Sequence, residues 1–434
     1  MISLRALSAK LSNRLGPHGK RALTLVSGTS AAQLIPLAIA PILTRLYSPE
    51  DYGILAIFGS IVAVLTAVAA GRYTVAVMLP DNDRDAVQVT GLALFLAAVV
   101  SALLLLLVPV TLGFLGGLGM IHDLGNWLYF VPVAVFLGSM FESLGYFSLR
   151  KDKVSQIAKA NVLKTAISGG TQVSLGFLGA GPAGLLGGFL LGLVTGNFRL
   201  IRIFVDSLRA FRLRWLQMKS MAAKYSNFPK YDLWGNLANV VGYNVITIGI
   251  GMIYAYQALG QYALAFRSAS LPSALVGVAL GQVYLREAAR RVHSPVLALR
   301  AFNRTLGILA AVSVVPMVVI GLWGQELFGL IFGQEWRLSG IYASAMIPLV
   351  WTRFVSSPLS SVYYIYGKQR NLLVFQTILL TITVVTMALA FNLDWSLQEL
   401  LLIQSLLLGG FYVVFLYFAR RIIIHSTLTK VRPV

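Results

Sequence analysis

In a chain of 434 residues, 57% hydrophobic and 12% charged, the charge density is about half that of a soluble domain, which excludes an ordinary water-soluble fold. The formal net charge of +20 is scattered over many short segments instead of one stripe, so it does not point to a nucleic-acid partner. With no cysteine, disulfides and thiolate metal sites are excluded as well.

The chain opens on a basic tail carrying Arg5, Lys10, Arg14, Lys20 and Arg21. Six apolar segments follow, at about 22–43, 54–70, 87–112, 127–149, 160–180 and 183–203, and six more at about 233–253, 261–285, 305–323, 339–366, 372–392 and 397–418. Roughly 20 apolar residues suffice for a helix to cross the hydrocarbon core. The first segment carries Pro36 and Pro41 and runs on into further spans, so it reads as a span and not as a cleaved signal peptide. A short turn near Gly179–Pro182 divides the fifth from the sixth.

Thirty-one of the thirty-five Lys and Arg residues fall in the tail and in alternate gaps or the segment ends that border them, while the opposite gaps hold only Arg45 and Arg337. The positive-inside rule then predicts cytoplasmic N and C termini. The expected fold is an all-α membrane protein of about twelve transmembrane helices in two six-helix bundles, 1–215 and 216–434. Tyr52-Gly53-Ile54-Leu55-Ala56 and Tyr262-Ala263-Leu264-Ala265-Phe266 open equivalent helices of the two halves, which fits parallel repeats. Between the halves, 204–230 places Arg209, Arg212, Arg214, Lys219 and Lys224 among Phe211, Leu213 and Trp215. This stretch is either a plain connector or an amphipathic helix on the anionic inner leaflet.

No GxxxxGK[ST] loop, HExxH motif or Cys/His cluster occurs, and His18, His122, His293 and His425 lie outside the apolar segments. The sequence therefore predicts no enzyme chemistry, no cofactor and no metal. The informative residues are charges inside apolar segments, where an ionisable group faces a wet cavity or a partner. Arg353 stands near the centre of 339–366, and Arg267 about six residues into 261–285 from the outer side. Glu142, eight residues before Arg150, either relays a proton or neutralises a neighbouring Arg; Asp232 and Lys164 read as interfacial. Gln33, Asn236, Asn239, Asn244, Gln376 and Gln404 read mostly as interhelical hydrogen bonds. Tyr363, Tyr364 and Tyr366 fit an interfacial belt or a sugar-facing surface equally well. An interior richer in Arg than in carboxylate suits an anionic ligand, since guanidinium pairs bidentately with phosphate.

Several blocks carry a resemblance. Ser27-Gly28-Thr29 with Ala32-Gln33, then Pro41-Ile42-Leu43-Thr44-Arg45-Leu46-Tyr47-Ser48-Pro49-Glu50-Asp51-Tyr52-Gly53, resembles the opening of the Wzx-type oligosaccharide flippases. Gly71-Arg72-Tyr73 with Leu79-Pro80, Asn227-Phe228-Pro229-Lys230, Leu327 to Trp336 and Ser356 to Ser361 are similar to further blocks of those proteins. They belong to the multidrug/oligosaccharidyl-lipid/polysaccharide exporter superfamily. Thr74 stands where many relatives have an acidic residue.

The resemblance implies two bundles around a cavity alternately open to each side. The implied substrate is an oligosaccharide on undecaprenyl pyrophosphate, moved from the inner to the outer leaflet of the bacterial inner membrane for O-antigen, capsule or exopolysaccharide. Arg353, Arg267, Arg72 and Arg45 are the candidate substrate-binding residues and Glu142 the candidate ion-coupling residue. Membrane lipids and other polysaccharide synthesis proteins are the expected partners. The alternative is a multidrug antiporter of the same superfamily, which calls for cavity carboxylates. A membrane glycosyltransferase or polymerase needs a larger loop than any outside gap offers.

Overall fold

In lipid, backbone amides and carbonyls must be satisfied within their own segment, and helices are the regular structure of the described residues. The computed structural model describes residues 33–115, 124–271, 273–291 and 294–428. The basic tail, the Ser27-Gly28-Thr29 block, His18, His122, His293 and the last six residues lie outside them.

The helices are α1 Gln33–Leu46, α2 Pro49–Ala69, α3 Tyr73–Ala76, α4 Asp83–Leu115, α5 Val131–Arg150, α6 Val154–Phe177, α7 Pro182–Ala210 and α8 Trp215–Lys224. After them come α9 Leu233–Ile253, α10 Tyr256–Ala269, α11 Val278–Arg290, α12 Pro295–Phe332, α13 Arg337–Ala345, α14 Ile347–Leu359, α15 Ser361–Ile365, α16 Gln369–Asn392 and α17 Leu397–Leu428. Reciprocal caps mark two starts. The Ser48 amide donates to Asp51 Oδ2 at 2.9 Å before α2, and the Ser396 amide donates to Glu399 Oε2 at 2.8 Å before α17.

Among the described residues eight helices are long and apolar enough to cross a membrane, and one bent pair makes a ninth candidate. The described part of each predicted segment is largely helical, but four fall short of the expected continuous, apolar span. Of segment 22–43 only 33–43 is described, and it lies in the short helix α1. Segment 339–366 is two helices bent by 58° around Met346. Pro348 lacks an amide proton and crowds the carbonyl four residues back, so the helix restarts there. Segment 261–285 is interrupted after Ala269 by a π-helical turn, Ser273–Gly277; Pro272 falls in this interruption, outside the described residues. Segment 160–180 runs along α6 as far as Phe177, and Lys159, Asn161, Lys164 and Gln172 leave that helix less apolar than the eight.

The chain forms two compact units, Met1–Leu46 with Phe58–Val241 and Tyr47–Ile57 with Gly242–Val434. In the first, α6 and α7 pack along a glycine stripe: a Cβ at Gly192 would stand 2.7 Å from the Lys164 carbonyl. The turn between them uses Gly179 and Gly181 at positive φ, and Pro182 starts α7. The core of this unit joins Tyr73 and Val77 to Leu92, Leu144, Phe147, Phe204 and Met218. In the second unit Phe354, Leu359, Tyr363, Phe302 and Phe415 form the core. Tyr363 is thus neither belt nor sugar platform. It stacks on Phe415 with ring centres 4.8 Å apart and donates to the Phe415 carbonyl at 3.0 Å.

Candidate functional site

Each unit gathers charges in its own way. In the first, the chain leaves α2 through Gly71 and Arg72, both left-handed, with φ of 57° and 62°. An Arg in that region costs roughly 1–2 kcal/mol, so the surroundings must hold it there. The Arg72 side chain reaches Asp232 in the π-turn before α9, Nε to Oδ2 2.7 Å. Glu142 on α5 is accessible yet ringed by protein atoms, and the charges acting on it are those of Arg72 and Lys164. Lys164, on α6, lies 4.7 Å from the centre of the Phe141 ring. Two acids and two bases from four stretches of chain therefore face one another, electrically balanced. Asp232 and Lys164, expected to be merely interfacial, are partners of the predicted residues. Thr74, two residues beyond Arg72, is buried.

A second cluster, Asp83 with Lys151 at 2.6 Å and Arg150 at 3.5 Å, ties the start of α4 to the end of α5.

In the other unit Arg353 is the seventh residue of α14, so it lies inside a half-span instead of at the centre of a long one. Its guanidinium sits 4.6 Å over the Tyr243 ring, and its charge acts on Tyr262 and Tyr412. Arg267 lies in the last turn of α10, not near the start of a span; a cation there meets the negative end of the helix dipole. It too is accessible but surrounded by protein, and it acts on Tyr52, which packs edge-to-face on Trp336 at 4.9 Å. Neither arginine has a carboxylate partner among the described residues. The same unit holds a cavity of about 400 Å³ lined by Gly277, Gly281, Phe354, Ser357, Pro358 and Tyr364, among others; neither arginine lines it. Arg45, in the last turn of α1, donates to the Pro41 carbonyl of its own helix.

The structure thus brings Arg72 and Glu142 together in one unit and places Arg353 and Arg267 in the other. Nothing in the sequence marks Tyr243, Tyr262 and Tyr412 as standing beside Arg353, because nothing local separates a Tyr near a cation from one in the interfacial belt. No group of three or more metal-ligating side chains occurs among the described residues.

Long apolar helices with charges held inside them define a multi-pass membrane protein, and solved structures share the fold. The lipid II flippase MurJ in its inward closed conformation superposes with a TM-score of 0.68 at 13% identity, over 94% of this chain and 91% of that one. The MATE transporter VcmN of Vibrio cholerae gives 0.55 at 12% identity, over 94% and 96%. Residues 42–339 match the family described as polysaccharide biosynthesis protein, and the chain belongs to that family. It is also similar to the succinoglycan biosynthesis transport protein ExoT of Rhizobium meliloti (strain 1021), 24% identical over 392 residues, 86% of this chain and 75% of that protein. The chain is a membrane transporter of polysaccharide biosynthesis.

Proposed function

We propose that this transporter flips an oligosaccharide linked to undecaprenyl pyrophosphate from the inner to the outer leaflet of the bacterial inner membrane. The observation that carries this reading is Arg353 and Arg267, two guanidinium groups without carboxylate partners among the described residues and edged by tyrosines. A multiply charged pyrophosphate compensates such cations, and the lipid tail stays in hydrocarbon while the head group crosses in a sheltered path. In this reading twelve helices form two six-helix bundles, 1–215 and 216–434, with both termini cytoplasmic and the substrate path alternately open to each side. Arg72 serves the cytoplasmic mouth and Arg45 the opposite one. Glu142, poised between Arg72 and Lys164, couples movement to an ion gradient. Other polysaccharide synthesis proteins deliver and receive the glycan.

The test is a deletion strain in which lipid-linked sugar and surface polymer are followed together. Accumulation of the repeat on its lipid carrier with loss of surface polymer is the expected result. Complementation by Arg353→Ala at matched abundance is expected to fail. Unchanged surface polymer with heightened sensitivity to cationic drugs identifies an efflux antiporter instead.

A further inference from the structure

The connector between α7 and α9 carries charges and aromatic rings that transport leaves unused. After Ala210 the chain runs extended through Phe211 to Arg214 before α8 begins. Gln88, fully buried on α4, clamps this stretch on both sides. Its amide donates to the Arg212 carbonyl at 2.9 Å, and its carbonyl accepts from the Arg214 amide at 3.0 Å. Leu213 closes against Gly91, and Trp215 packs edge-to-face on Phe95 with ring centres 5.2 Å apart. Gln88, Gly91 and Phe95 share one face of α4, and Phe95 stands about 18 Å along the helix from Asp83. The connector is therefore fastened to the flank of a membrane-crossing helix.

The ten residues of α8 divide cleanly. Met218, Met221, Ala222 and Tyr225 just beyond it pack into the unit's core. Trp215 and Leu216 point the other way, 60% and 81% exposed. Arg212, Arg214 and Lys219 surround them, also exposed, and none has an acidic partner among the described residues. Arg209 differs, lying 3.6 Å from Asp206. A large aromatic and a leucine this exposed mark a contact surface. Lipid is the occupant that fits, because the surface is continuous with the bare apolar flank of α4: Phe95, Val99, Leu103 and Leu106 follow one another there, all exposed.

We infer that Arg212, Arg214 and Lys219, set around the apolar wedge of Trp215 and Leu216, form a binding surface for anionic phospholipid headgroups. Each cation adds to attraction by an anionic leaflet while the wedge enters the acyl boundary. The surface reaches the charge cluster by one hydrogen bond, since Tyr73, next to Arg72, donates to the Ala222 carbonyl at 2.9 Å.

The test uses the full-length protein in nanodiscs containing increasing brominated phosphatidylglycerol or, separately, brominated phosphatidylcholine. Quenching of Trp215 is isolated by difference against Trp215→Phe. Half-quenching is expected at about fivefold lower mole fraction of the anionic lipid. The triple variant Arg212→Gln/Arg214→Gln/Lys219→Gln should lose that preference yet keep quenching by phosphatidylcholine. Equal quenching of the unaltered protein by both lipids overturns the headgroup surface. Quenching by neither overturns lipid contact altogether and points to a protein partner. A preference that persists in the triple variant overturns the assignment to these three cations.

Discussion

Arg72 Nε lies 2.7 Å from Asp232 Oδ2, joining residues 160 apart in the chain. The side chains are 20% and 47% exposed, and partly exposed pairs of this kind contribute about 0.2–1 kcal/mol. Its weight is therefore in placing Arg72 beside Glu142. Asp232→Asn should move the thermal midpoint of the purified protein by no more than about 2 °C while lowering export severalfold. The charge swap Arg72→Asp/Asp232→Arg should recover part of that export. An Asp232→Asn variant that exports normally at matched abundance removes the pair from the mechanism.

Arg353 and Tyr243 give a graded series. A cation over a ring at 4.6 Å contributes about 0.5–2 kcal/mol, and Lys keeps the charge but not the planar fork. Arg353→Ala should lower export at least about tenfold, Arg353→Lys should fall between it and the parent, and Tyr243→Phe should stay close to the parent. Accumulation of lipid-linked sugar in complemented deletion cells reads all three. Equal defects in the Lys and Ala variants would show that guanidinium geometry, and not charge, is what the site uses.

Backbone meets backbone at Gly53 and Gly260. A Cβ on Gly260 would fall onto the Pro49 carbonyl, and one on Gly53 onto the Tyr256 carbonyl. This approach explains why Tyr47–Ile57 packs with the second unit. With no flexible side chain to yield, Gly260→Ala is expected to cost about 3 kcal/mol or more. Its folded yield, measured by fluorescence-detected size exclusion, should collapse. Gly410→Ala, whose added methyl meets open space, serves as the control and should match the parent.

Gln404 is an exception among the polar residues expected mostly to hydrogen-bond between helices. It is 1% exposed on α17, and neither its amide nitrogen nor its oxygen has a partner among the described residues. Leaving such a group unsatisfied costs roughly 1–3 kcal/mol, so Gln404→Leu should raise the thermal midpoint by a few degrees. A lower midpoint would show that the amide is satisfied in the membrane.

From sequence alone the class, eight of the twelve spans, the family resemblance and the suspicion attached to Arg353, Arg267, Arg72 and Glu142 were all legible. Hydrophobicity sums along the chain, and the cost of a charge in lipid attaches to the residue itself, so both are local properties. The tertiary structure alone decided which charges meet: Asp232 with Arg72, Lys164 with Glu142, Tyr243 with Arg353. It also decided that Tyr363 is core, and that two predicted spans are broken, around Met346 and after Ala269. Whether a side chain in an apolar segment finds a partner, a ring or an open cavity depends on helices brought alongside from far away in the chain. That pairing is set by the packing of whole helices, such as the glycine faces of α7, and no window of residues contains it.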